Sequence, residues 1–153
     1  MRDIIYVSKY KKIISIWVPI ISLFFNSAFA MKVSGVLVAS EDSQVQKVSI
    51  IEVRKIFIGL PASESSKIHQ PVINNSDKQV YQIFLRKVLR MTDKGYKRKL
   101  IKRIFRQGSE KIKSLNKKDK LVQYLRDNPN DVSFMLKENA EKIKGIKVIQ
   151  QLW

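Results

Sequence analysis

Helix-start signals answered by helix-stop signals divide the middle of this chain, and they limit it to short helices joined by extended segments. Ser49-Ile50-Ile51-Glu52 has the form of a capping box. In such a box a hydroxyl accepts from the amide three residues on, and the acid reaches back to the cap amide. Ile50, Val53, Ile56 and Phe57 then fall on one helical face. Gly59 suits the left-handed position after a helix, and Pro61 forbids its continuation. Ser76-Asp77-Lys78-Gln79 is a second box with Ser76 as the expected cap. Val80, Phe84 and Val88 share a face behind it, with Tyr81, Leu85 and Leu89 alongside. Thr92-Asp93 caps a third helix that ends at Gly108. Its spacing predicts Tyr96, Leu100, Ile101, Ile104 and Phe105 inward, and Lys97, Lys99, Lys102, Arg103 and Arg106 largely outward. A fourth helix is expected to open at Asn116–Asp119 and to bury Leu121, Val122 and Leu125.

Extended segments fill the gaps. Met31–Ala39 is valine-rich and partly alternating, which reads as a strand. Gln70–Ile73, Asp131–Leu136 and Gly145–Gln150 read as shorter ones. The turn Asn128-Pro129-Asn130 precedes the third of these, and a polar link of helical composition joins the last two. Pro61–Lys67 is a serine-rich turn region. This order predicts an α/β fold: one domain with a small mixed sheet flanked by about four helices.

The first 30 residues stand apart. Arg2, Lys9, Lys11 and Lys12 precede an apolar run from Ile13 to Phe25, and Ala28-Phe29-Ala30 follows. Cations, apolar run and small residues at −3 and −1 are the parts of a secretory signal peptide. The expectation is cleavage after Ala30 and delivery of residues 31–153 to the periplasm. The run is shorter than the roughly 20 residues that span a bilayer. An uncleaved segment tethering the domain to the inner membrane is the alternative.

Composition removes several chemistries. The chain has no cysteine, which excludes disulfides, thiolate zinc sites and cysteine nucleophiles. Its one histidine, His69, leaves little for a histidine-rich metal site or a Ser-His-Asp triad. No acidic pair has a spacing that argues for general acid–base work, and there is no phosphate loop or Gly-x-Ser-x-Gly. The expectation is no enzyme, no cofactor and no metal. The net charge of +17 is unevenly spread: residues 86–126 hold 16 basic and 3 acidic residues.

The ordered segments VLVASEDS, VSIIEVRKIFIG, QPVINNSDKQVYQIFLRKVL, IKRIFRQGS, LVQYLRDNPNDVSFM and IKVIQ carry a resemblance. Together they make residues 33–150 similar to the small, single-domain members of the phosphate ABC-transporter substrate-binding protein family. Ile56-Phe57-Ile58-Gly59 matches the close of that family's first helix. Phe84 to Leu89 matches its Phe-x-x-x-Val-Leu, and Asn128 to Phe134 its Asn-Pro turn before a short strand. The chain departs at Leu100, where the family often has Trp, and at Ser133-Phe134, where it often has Gly-Tyr. Asn74-Asn75-Ser76 stands where full-length relatives have a Gly-Ser-Gly-Thr-like anion loop. The resemblance implies a single periplasmic-binding-protein-like lobe. It also implies phosphate or another oxyanion as ligand, for transport or sensing, and an ABC permease as partner.

Two candidate sites follow. Ser76 at an expected helix N-terminus, with Asn74, Asn75 and Lys78 beside it, offers amides and dipole to an anion. A plain N-cap is the alternative there. Ser40 and Ser43 follow the first strand, where ligands bind in open α/β sheets; a solvated loop is the alternative. The basic face carrying Lys97, Lys99, Lys102, Arg103 and Arg106 can meet polyanions. The rival to solute binding is therefore an interaction module docking on an anionic envelope surface or protein partner. Nucleic acid is disfavoured, because no regular aromatic–basic alternation is present.

Overall fold

Five strands and five helices alternate along residues 33–153, the part of the chain that the computed structural model describes. The expected export segment at 1–30 lies outside the described residues. The order is β1 (Gly35–Ser40), α1 (Ile50–Phe57), β2 (Val72–Asn74), α2 (Lys78–Phe84), α3 (Asp93–Gln107), β3 (Lys113–Leu115), α4 (Lys118–Asp127), β4 (Ser133–Leu136), α5 (Lys137–Lys142) and β5 (Ile146–Gln151). The α/β expectation holds, with five helices rather than about four, and with an antiparallel and a parallel sheet in place of one mixed sheet.

β1 sits at the centre of a three-stranded antiparallel sheet in the order β4-β1-β5. β2 and β3 form a two-stranded parallel sheet. A parallel bridge between Pro71 and Val132 joins β2 to the start of β4. Every residue of β1 is buried, because helices cover both faces of the strand. Leu37 and Ala39 face a cluster built on Val53, Phe57, Phe84, Leu85 and Phe134. Val36 and Val38 face a smaller one with Leu121, Leu125, Met135 and Ala140. The first cluster is aromatic at its heart. Phe84 and Phe134 stack at 3.8 Å between centroids, and Phe57 meets Phe84 edge-on at 4.8 Å.

Several boundaries moved, each for a local reason. Ser49 caps α1 as expected and accepts from the Glu52 amide at 3.1 Å, but Glu52 does not reach back. Its carboxylate takes the Ser63 amide at 2.7 Å and Lys55 at 3.1 Å, pinning the following loop to the helix. α2 is capped by Asp77, not Ser76: the Asp77 carboxylate accepts from the amides of Gln79 and Val80. Beyond Phe84 the helix widens into a π turn, Leu85–Leu89, which keeps Leu85, Val88 and Leu89 all buried. Thr92 caps α3, and Gly108 ends it at φ 60°. α4 opens at Lys118 without a side-chain cap, two residues inside the expected start. β2 begins two residues later than its expected strand, where its ladder with β3 starts at Val72 opposite Lys113. β3 has an exposed, polar sequence, Lys113-Ser114-Leu115, and no periodicity announces it.

α3 departs furthest from its expected orientation. Tyr96 is buried and Leu100 and Ile104 are half-buried, but Ile101 is 53% exposed and Phe105 84%. At ~100° per residue Leu100 and Ile104 stay on the Tyr96 side of the helix, whereas Ile101 and Phe105 are carried round to the side away from the core.

Candidate functional site

Antiparallel and parallel pairings together decide which expected site residues can meet. β1 runs against β4, with Val38 opposite Ser133 and Gly35 opposite Leu136. β2 runs with β4 and ends on it, where Asn74 Nδ2 donates to the Phe134 carbonyl at 2.9 Å. The carboxyl end of β1 and the carboxyl end of β2 therefore lie at opposite ends of the sheet. Ser40 and Ser43 belong to the first, and Asn74, Asn75, Ser76 and Lys78 to the second. The structure does not bring the two sets together.

At the β1 end, Ser40 and Ser43 are buried. Ser43 Oγ accepts from the Val45 amide at 3.1 Å and lies 3.5 Å from Asn130 Oδ1. Asn130 Oδ1 also accepts from the Gln44 amide at 3.0 Å, and Lys147 Nζ donates to the Ser43 carbonyl. These bonds tie the loop after β1 to the turn before β4.

The turn between β2 and α2 is likewise closed on itself. Asn74 is buried, and its Oδ1 accepts from both the amide and the hydroxyl of Ser76, at 3.1 and 2.6 Å. The Asn75 amide donates to the Leu115 carbonyl at 2.9 Å, and its Nδ2 to Asn116 Oδ1 at 3.2 Å. The Asp77 carboxylate holds the α2 amides that an anion was expected to use. Lys78 remains exposed at the edge.

That edge opens onto a groove of about 540 Å³ between α2, α3 and the segment leading into β3. Its walls are apolar: Tyr81, Tyr96, Leu100, Ile101, Ile104 and Ile112. Its lining also carries Asn75, Lys78, Lys97, Arg103 and Lys111, against the acids Asp93 and Glu110. Both acids are engaged. Asp93 meets Lys97 Nζ at 2.7 Å and accepts from the Tyr81 hydroxyl at 2.7 Å. Lys97 first and Tyr81 second hold the Asp93 carboxyl below its ordinary value. Glu110 accepts from Gln70 Nε2 at 2.7 Å. Burial pushes the Tyr81 and Tyr96 phenols well up, and the Tyr96 hydroxyl donates to the Phe57 carbonyl at 2.6 Å. Arg103 donates from Nη1 to Gln107 at 2.7 Å, while its Nε is buried without a partner. Gly59, at φ 82°, lies under the Arg103 stem, where an added Cβ would come within 3.5 Å.

The expected basic face divides around α3. Lys97 and Arg103 line the groove, whereas Lys102 and Arg106 are exposed beyond it and Lys99 is half-buried.

One polar centre gave no motif to the sequence. Asp131 is 1% exposed, and it accepts from the Gln70 amide at 3.1 Å and the Tyr124 hydroxyl at 2.9 Å, with His69 Nδ1 at 3.0 Å. Burial, aided by Asp131, pushes the Tyr124 phenol up to about 12. Lys113 Nζ lies 4.0 Å over the Tyr124 ring. An acid opening an otherwise apolar run, just after an Asn-Pro-Asn turn, was the available signal. No group of His, Asp and Glu that could hold a metal ion occurs among the described residues. Comparison with protein-family models and with curated proteins returned no match.

Proposed function

We propose that this chain is an exported, non-catalytic binding lobe of the phosphate-type solute-binding kind, and that it recognises an anionic partner through the basic surface of α3. The observation that carries this reading is a contrast between two neighbouring places. The polar groups of the β2–α2 turn are consumed by one another and by Asp77. The α3 surface beside it keeps seven basic residues against one acid, on and around an apolar groove. Anionic partners gain from such a field through release of their counterions. Retention of the protein on immobilised heparin, with elution by rising salt, tests the reading. Passage through the column at low salt would remove it.

A second reading keeps the small oxyanion, phosphate above all, with transport through an ABC permease. It is favoured by the convergence of Asn75, Lys78, Lys97 and Arg103 on one groove and by the shielded Arg103 Nε. Isothermal titration with phosphate discriminates: no heat at millimolar phosphate eliminates capture of phosphate itself. Periplasmic residence belongs to both readings, and a protease-accessibility assay on intact spheroplasts checks it.

A further inference from the structure

We infer that the outward face of α3 is a docking surface for an anionic lipid bilayer, with Phe105 and Ile101 entering the acyl boundary and the surrounding cations engaging headgroup phosphates. The inference rests on the anionic-partner reading above and names the partner. At ~100° per residue, Lys94, Arg98 and Phe105 fall on the same side of the helix as Ile101, with Lys97 and Lys102 flanking them. Lys94, Lys97, Arg98 and Lys102 are all exposed, as are Ile101 and Phe105. Ile101, half-exposed where the groove wall meets this face, and Phe105, four residues on and outside the groove, stand among these cations and match the two halves of a bilayer interface.

Every polyanion matches the charge of this face, and its exposed apolar side chains favour a lipid surface over the others. Phosphates of nucleic acid would satisfy the lysines and arginines but would leave Ile101 in water. Phe105 is the one exposed aromatic of α3, short of the series of stacking platforms that a single strand uses. Tyr96 is buried, and Tyr124 lies on α4 with Lys113 across its ring. An acidic protein would fit the cations equally, but Phe105 projects from a convex helix face and not into a recess. A deformable, laterally extended acyl layer receives such a projection without a preformed pocket.

The chain contains no cysteine, so one introduced thiol is a unique labelling site. An environment-sensitive fluorophore on Phe105→Cys in the full chain, mixed with phosphatidylglycerol-containing vesicles, is expected to shift to the blue and to be quenched by brominated acyl chains. The same fluorophore on Glu138→Cys, exposed on α5, is expected to stay aqueous. Because the readout is local to position 105, adsorption through the apolar N-terminal run does not imitate it. Each of Lys94→Gln, Arg98→Gln and Lys102→Gln should weaken the vesicle-dependent shift about fivefold. In the unlabelled chain, Phe105→Ala should leave the urea midpoint unchanged. A label at 105 that stays aqueous, or that responds equally to zwitterionic vesicles, overturns the inference. If the protein still binds heparin in that case, the anionic-partner reading survives without the bilayer. Loss of heparin binding as well ends both.

Discussion

Asp131 is the residue whose removal should reach furthest. A buried carboxylate that accepts a backbone amide, a tyrosine hydroxyl and a histidine nitrogen joins the start of β4 to the segment before β2 and to α4. Asp131→Ala leaves the Gln70 amide and the Tyr124 hydroxyl without their acceptor, and should cost about 3 kcal/mol by urea unfolding. Tyr124→Phe removes one donor and leaves the carboxylate its others, so about 1 kcal/mol is expected. Equal losses in the two variants would show that the network is not centred on the acid. Gly35 supplies a second case. A Cβ there would come within 2.0 Å of the Trp153 ring, which covers the start of β1. The Gly35 carbonyl also accepts from the Leu152 amide at 2.8 Å. Gly35→Ala should therefore displace the ring and cost about 1–3 kcal/mol of overpacking. A loss of near-ultraviolet circular dichroism should accompany it.

Caps and faces decide how the elements behave, and they also decide how much of them the sequence disclosed. α1, α2 and α3 were legible because a polar cap, an apolar period and a stop stand in order, as in Thr92, Tyr96-Leu100 and Gly108. The cap of α2 was misplaced by one residue because Ser76 and Asp77 are both good caps. Only the fold shows that Asn74, fixed on the Phe134 carbonyl, draws the Ser76 hydroxyl away. Asp77→Ala should accordingly cost about 1 kcal/mol of stability, and Ser76→Ala measurably less, in parallel urea titrations. Ile101 and Phe105 face water because the core-side stripe runs Tyr96-Leu100-Ile104, and at ~100° per residue the other two fall on the far side of the helix. β3 gave no signal because its pairing with β2 is parallel and its side chains are exposed. The groove was illegible for the same reason: its walls come from α2, α3 and the β3 approach, which the sequence cannot place beside one another. Acid sensitivity also belongs here. Lys97 on α3 and Tyr81 on α2 lower the Asp93 carboxyl, and the loop amide of Ser63 and Lys55 on α1 lower that of Glu52. A depressed folded value gives stability that is present above the unfolded value of ~4 and is lost as pH falls through the folded one. The Glu52→Gln, Asp93→Asn double variant should start with a lower urea midpoint near neutrality and then fall less steeply below ~pH 4.

For the whole molecule the decisive quantity is the imbalance of charge. Thirty basic residues face 13 acidic ones, and residues 86–126 alone hold 16 against 3. Among the described residues the lysine–carboxylate pairs engage Lys55, Lys97 and Lys137, so most cations of α3, β3 and α4 have no acid within 4 Å. Crowding them on one compact surface costs free energy that the expanded chain largely avoids. Added salt shortens the screening length to ~8 Å at physiological strength, which is within the spacing of neighbouring cations on a helix face. Sodium chloride should therefore raise the urea midpoint, opposite in sign to its effect on a fold held by surface ion pairs. A polyanion should do more than simple screening allows. If it binds the folded surface and not the unfolded chain, it stabilises by about 2.7 kcal/mol at a concentration a hundredfold above its dissociation constant. Unfolding followed in low salt, with and without a short sulphated oligosaccharide, separates the two contributions. Replacing Lys94, Arg98 and Lys102 together by glutamine should abolish most of the oligosaccharide increment and leave part of the sodium chloride increment, since cations on β3 and α4 remain. An oligosaccharide increment that survives the triple replacement would place the anionic partner elsewhere on the domain, and α3 would then be only a solvated face.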